Sequence, residues 1–148
     1  MEWQLKKFHE LTTDELYKIL KARVDVFVVE QNCPYEEVDN HDQASFHLFS
    51  EENGQIIAYS RLIPKGNIYK EASIGRVLVH KDYRGKGYAK ALMEKSIDIV
   101  TNEWNEKEIK IHGQEYLRHF YGSLGFKEIS EVYLEDDIPH VDMILQVT

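Results

Sequence analysis

The stretch Arg84-Gly85-Lys86-Gly87-Tyr88-Ala89-Lys90 follows the apolar run Val77-Leu78-Val79 and leads into a helical pattern. A strand that enters a helix through a glycine turn leaves the first helical amides unpaired at the positive end of the helix dipole, and glycine lets an anion come close to the backbone. Arg84, Lys86 and Lys90 add positive charge to a chain whose formal net charge is −8. The chemistry this supports is binding of a phosphate or pyrophosphate. Two other phosphate loops do not fit: a dinucleotide fingerprint needs a third glycine where Lys90 stands, and a Walker A loop needs Gly-Lys-Ser/Thr after a four-residue gap. A bare Gly-x-Gly with solvated cations is commonly only a surface turn, and the flanking strand and helix are what favour the anion site.

By residue type, a general base can be sought at Glu30, His47, His112 or His140. Glu30 is the first choice, as a carboxylate at the end of an apolar helix, although pairing with Arg23 or Arg76 would explain it equally well. His140 is second, read against a solvated loop histidine. Cys33 is disfavoured as a nucleophile, having no histidine nearby in sequence and Pro34 beside it. Glu36, Glu37, Asp39 and Asp42 are suited to attracting a cationic amine or, more commonly, form a solvated charged stretch.

These residues need elements to place them. Alternation predicts a first strand over residues 3–8, broken at Lys7. Thr12 and Glu15 form a capping-box signature before Leu16, Ile19, Leu20, Val24 and Phe27 at helical spacing. Residues 30–44 read as an ordered polar loop. Apolar runs at 46–50 and 55–63, joined through Asn53-Gly54, predict a β-hairpin. A strand follows over 73–80, then a helix through Ala89, Leu92, Met93, Ser96, Ile97 and Val100. The remainder predicts a strand over 108–112, a helix over 115–124, and strands over 127–134 and 141–147. The order β-α-β-β-β-α-β-α-β-β argues for an α+β fold with a mainly antiparallel central sheet and helices on both faces.

The length of 148 residues suits one domain, 1–148, and 43% hydrophobic with 30% charged residues is a globular balance. An excess of 26 acidic over 18 basic residues disfavours nucleic acid and anionic membranes as partners. The single cysteine excludes an internal disulfide, no Cys/His spacing suggests a metal, and no apolar stretch approaches the roughly 18–20 residues of a membrane span. A cytoplasmic location is the expectation, as is the absence of any structural metal.

Arg84, Gly87 and Ala89 match the Arg/Gln-x-x-Gly-x-Gly/Ala signature of the GNAT superfamily of N-acetyltransferases, and Phe120-Tyr121-Gly122-Ser123-Leu124-Gly125-Phe126 resembles the second motif of that family. More narrowly, Arg23, Val26-Phe27-Val28-Val29-Glu30-Gln31, Cys33-Pro34-Tyr35, Asp39, Asp42 and Glu135-Asp136-Asp137-Ile138-Pro139-His140 resemble its ElaA-like branch. One departure is Gly122 inside the helix, at a cost of roughly 1 kcal/mol relative to alanine.

The resemblance implies two central strands splayed apart to admit acetyl-CoA, with Val77, Leu78 and Val79 facing the pantetheine arm. It implies that the amides of Arg84, Gly85, Lys86, Gly87, Tyr88 and Ala89 hold the pyrophosphate, and that Tyr121 protonates the departing thiolate, phenol and thiol having neighbouring pKa values. The acceptor would be a small-molecule or peptide amine attacking directly in a ternary complex. A noncatalytic acyl-CoA sensor is the alternative, and these residues leave a homodimer open.

Overall fold

A computed structural model describes residues 2–147. Eight strands form one sheet in the order β1-β2-β3-β4-β5-β8-β6, with β7 also paired to β8. The strands are β1 (Gln4–Lys7), β2 (Phe46–Glu52), β3 (Gln55–Ile63), β4 (Ala72–Val79), β5 (Glu108–Gln114), β6 (Lys127–Glu128), β7 (Tyr133–Glu135) and β8 (Ile138–Gln146). All pairings are antiparallel except β4 with β5. The mixed, mainly antiparallel sheet is the one the element order predicted.

Side-chain alternation divides the core. Leu48, Ala58, Leu62, Ile109 and Met143 face α2 (Tyr88–Asp98) and α3 (Arg118–Ser123), while Phe49, Ile56 and Tyr59 face α1 (Thr13–Arg23). The α1 start is fixed as expected: Thr12 Oγ1 accepts from the Glu15 amide at 3.0 Å, and Glu15 Oε1 accepts from the Thr12 amide at 2.9 Å. The helix then widens into a π-helical segment, Val24–Glu30, which carries the helical pattern past Phe27. Asn53 and Gly54 both have positive φ, as the hairpin turn between β2 and β3 requires.

Three differences concern the C-terminal part. The expected helix over 115–124 opens as a 3₁₀ turn, Glu115–Leu117, before α3. The expected strand over 127–134 is two short strands, β6 and β7. The last strand starts three residues earlier than read, because Asp136 and Asp137, both at positive φ, close a tight β7–β8 hairpin. His140 therefore lies on a strand and is 9% exposed, not on a solvated loop.

Of the acidic residues after α1, Glu36 is exposed, as read, whereas Glu37, Asp39 and Asp42 are each held by arginines. Arg23, fully buried, donates to Glu37 Oε2 and Asp42 Oδ1, both at 2.7 Å. Arg61 donates to Asp39 at 2.8 and 2.9 Å and to Asp42 at 3.0 Å, and Arg76 reaches Glu37 at 2.7 Å and Asp39 at 3.2 Å. Three guanidinium groups thus meet three carboxylates and fasten residues 31–45 across the α1 face of the sheet. His47 is buried at its edge, its Nε2–H donating to the Asp42 carbonyl at 3.0 Å and its Nδ1 accepting from Tyr59 at 2.7 Å; burial holds its pKa down. It does not line the large cavity described below.

Removing one member of a buried ionic cluster leaves its partners uncompensated. Arg23→Met is expected to lower unfolding free energy in urea by about 3–5 kcal/mol. Burial works against the Asp39 charge, but hydrogen bonds and charge from Arg61, the His41 amide and the Arg76 charge outweigh it and hold its pKa at about 2, against an ordinary 3.8. The stability from a carboxylate depressed in this way is complete above pH 3.8 and is lost as pH falls through about 2. Urea midpoints measured down this window should fall, and Asp39→Asn should flatten the decline by on the order of 1–2 kcal/mol after screening by solvent.

Candidate active site

The parallel ladder between β4 and β5 consists of two residue pairs, Ala72 with Ile109 and Ser73 with Lys110. Beyond them the strands separate. A register shift in the β3–β4 ladder between Tyr59 and Arg61 places a bulge opposite Ser60, at Arg76, whose φ is +50°. A bulge bends its strand and strengthens the local twist, so β4 turns away from β5 here. The Arg76 guanidinium lies over the Tyr35 ring, 5.6 Å from its centroid, and is held by Glu37 and Asp39, so the bulge is tied to the loop.

The gap is a cavity of about 690 Å³, lined along β4 by residues 74–79 and along β5 by residues 111–114. Because the sheet is parted, side chains from both of its faces reach one space. From the α1 side come Phe27, Glu30, Tyr35 and His140; from the α3 side come Phe120 and Tyr121.

At one end stands the glycine turn. Gly85 and Gly87 have φ of +76° and +85°, and Gly87 is the residue before α2, with no side-chain cap on the helix. The first amides of an eleven-residue helix are thus left to an outside acceptor. Arg84 and Ala89 line the cavity, whereas Gly85, Lys86 and Gly87 lie beyond it on the exposed turn and Tyr88, half-buried, begins α2 outside the cavity wall. The Lys86 ammonium sits over the Tyr83 ring at 5.7 Å. Arg84 donates to the Val79 carbonyl and to Glu30 Oε2, each at 2.9 Å. Glu30 therefore pairs with neither Arg23 nor Arg76, the two partners considered from sequence, because Glu37, Asp39 and Asp42 occupy both.

Tyr121 is 6% exposed and packs against Gly113, where an added Cβ would come 3.0 Å from its ring. Glycine at that position lets the ring lie against β5. Burial pushes its phenol up to about 12, so the hydroxyl holds its proton far above neutral pH. The neighbouring phenol and thiol pKa values expected from residue type are pulled apart, and the group is a hydrogen-bond donor before it is a full proton donor.

His140 donates from Nδ1 to the Ile138 carbonyl at 2.7 Å, which leaves Nε2 as the acceptor. Its ring stacks on His112 with centroids 4.8 Å apart and planes 13° from parallel. Strand register explains the grouping: His112 is opposite Asp142, Gln114 opposite His140, and Tyr133 opposite His140, so all point to one face. Sequence reading weighed His112 by type alone and gave Glu135 and Gln114 no role. No local signal marks them, since pairing of distant strands brings them together.

Cys33 is buried at the cavity, its Sγ 3.6 Å from the Asp136 carbonyl, and burial pushes its thiol up, against use as a nucleophile. Among the described residues no helix is long and apolar enough to cross a membrane.

Comparison with known proteins agrees with this architecture. The profile described as an acetyltransferase (GNAT) domain matches residues 11–147. The chain is 38% identical to protein ElaA of Escherichia coli, covering 99% of this chain and 97% of that one, and 42% identical to a UPF0039 protein of Schizosaccharomyces pombe, covering 99% and 98%. The crystal structure of an acyl-CoA N-acyltransferase from Pseudomonas aeruginosa superposes with a TM-score of 0.93 at 40% identity, over 97% of this chain and 98% of that one. A strand pair parted beside an uncapped helix start, in a chain this similar throughout its length, has one reading: the protein belongs to the GNAT acetyltransferase family, whose members move an acyl group from acyl-CoA to an amine.

Proposed function

We propose that this chain, as one domain over 1–148, transfers the acetyl group of acetyl-CoA to a primary amine by direct attack in a ternary complex. The observation that carries the reading is the early end of the β4–β5 ladder, which opens a cavity wide enough for an extended thioester and leaves strand amides without partners along it. In this reading Val77, Leu78 and Val79 run beside the pantetheine, and the amides from Arg84 to Ala89 take the diphosphate. Free strand amides polarise the thioester carbonyl as preorganised donors. No metal enters the reaction so described, and the cytoplasm, where acetyl-CoA and reduced thiols coexist, suits it.

His140 takes the proton of the incoming amine. Its Nδ1–H is fixed on a backbone carbonyl and its Nε2 is available to the cavity, whereas Glu30 is held by Arg84. The amine nitrogen attacks the carbonyl carbon, the C–S bond breaks, and Tyr121 donates a hydrogen bond to the sulfur as negative charge develops there. Tyr121 thus stabilises the leaving thiolate, and proton return follows from it or from water.

Acetyl-CoA at 100 times its Kd should add about 2.7 kcal/mol of stability, a Tm rise of roughly 5–10 °C for a chain of this size. ATP or NAD at equal concentration should give much less; an equal rise with them would point to a nucleotide binder instead. In a thiol-release assay with a panel of amines, Tyr121→Phe and His140→Gln should each lower kcat by on the order of 10²-fold with cofactor binding retained. Glu30→Gln should lower it far less than His140→Gln, and the reverse order would move the base to Glu30. Cofactor binding without release for every amine would identify a sensor.

A further inference from the structure

Each ring nitrogen of His112, on β5, faces an oxygen acceptor. Nδ1 lies 3.0 Å from Asp142 Oδ1, and Nε2 is in direct contact with Glu135 Oε2. The Tyr133 hydroxyl also meets Nδ1, but its hydrogen goes to Asp142 Oδ1 at 2.6 Å, so only its oxygen faces the ring. Asp142 is ionised: burial works against its charge, but hydrogen bonds from Tyr133 and His112 and the charge of Lys110 outweigh it and hold its pKa below the ordinary 3.8. A carboxylate only accepts, so both nitrogens of His112 donate, and an imidazole with two N–H groups is a cation. His112 thus has no lone pair with which to take a proton.

This cation lies flat against His140. The two ring centroids are 4.8 Å apart with planes 13° from parallel, and His140 Nε2 is 4.0 Å from Glu135 Oε2. A carboxylate at that distance favours a protonated imidazole, and a cation opposes it. Glu135 and Asp142 each bring a negative charge; His112 brings a positive one, as does Lys110, whose ammonium is 3.8 Å from Asp142 Oδ2. Asp136, at the hairpin turn, adds a further negative charge on the cavity wall. The other groups around the cavity alter this balance little. Tyr133, Tyr35 and Cys33 keep their protons, burial being the main cause in each, while Arg84 is paired with Glu30 and Arg76 with Glu37 and Asp39. Among the described residues, His112 is the cation stacked on the His140 ring.

We propose that His112 is a fixed imidazolium and a positioning residue for His140: it holds the Glu135 carboxylate and the plane of the base, and its charge offsets that of Glu135, so that His140 Nε2 stays free to accept a proton at neutral pH. This rests on the reading of His140 as the base and adds the residue that keeps it one. The amine proton passes to His140 Nε2 as the nitrogen becomes a nucleophile. While His140 carries it, two stacked imidazolium rings repel each other, and the proton leaves to water at the cavity mouth, where Glu135 is half-exposed. His112 gains and loses no proton in the cycle.

The test is nitrogen-15 NMR of the histidine rings across pH in the unliganded protein, alongside turnover of acetyl-CoA with an accepted amine over the same range. At neutral pH both His112 nitrogens should carry hydrogen and His140 Nε2 should not; the wild-type spectrum decides this whether or not a variant folds. His112→Gln leaves Glu135 uncompensated and should raise the His140 titration midpoint by about one pH unit. The acid limb of kcat/KM should follow it, with CoA affinity unchanged. Adding Glu135→Gln to that variant should return both toward wild type, a rescue that loss of packing alone would not give. A midpoint that moves and returns while the acid limb stays in place supports the hold of His112 on His140 and removes only the reading of His140 as the base. A lone pair on either His112 nitrogen at neutral pH, or a His140 midpoint unmoved in His112→Gln, would overturn the proposal.

Discussion

The parallel ladder of β4 and β5 stops after Ser73 and Lys110, and the shape of the site follows from that point. A parallel pair forms evenly spaced bonds only while both strands keep a common twist. The bulge at Arg76 breaks that condition by turning β4 away, and the anchoring of Arg76 to Glu37 and Asp39 keeps it turned. The backbone amides and carbonyls that face the gap would be costly to bury without partners. They are tolerable because the gap is open to water and to an extended ligand that can pair with them. The same feature that costs the sheet part of its ladder thus opens the cavity.

The ionic cluster of Arg23, Arg61 and Arg76 with Glu37, Asp39 and Asp42 is the counterpart of that opening. Buried ion pairs contribute little net stability because desolvation offsets their attraction, yet they are exacting about geometry. Here they fix a loop of low apolar content that hydrophobic burial alone would not hold. Tyr35 and Cys33 reach the cavity wall because this cluster sets the path of residues 31–45. The pairing of Glu30 with Arg84 joins the end of the π-helical segment to the glycine turn before α2.

Parting the sheet also brings groups of different character to one space. Tyr121 belongs to the face packed by α2 and α3, where burial holds its proton in place. His140 and Glu135 belong to the opposite, more polar face, where β7 and β8 carry histidines and carboxylates. In an unbroken sheet these two sets would be separated by the thickness of the backbone layer. Between β4 and β5 they line one space.

Much of the fold was legible in the chain because its signals are local. The Thr12–Glu15 capping box, the Asn53-Gly54 turn and the strand–glycine–helix passage through Arg84 to Ala89 each depend on a few neighbouring residues and on backbone geometry, and they stand where the residues indicated. What neighbours cannot specify is which distant charges meet. The acidic run after α1 read as solvated because its three arginine partners lie elsewhere in the chain, on α1, β3 and β4. His140 read as a loop residue because the Asp136-Asp137 turn that starts β8 has no glycine to announce it. The amino-acid order determined the elements and the glycine turn before α2 through short-range sterics and hydrogen bonding. Only the tertiary structure, through strand register and the burial of charge, decided that Glu30 faces Arg84 and that His112, Glu135 and His140 face one another.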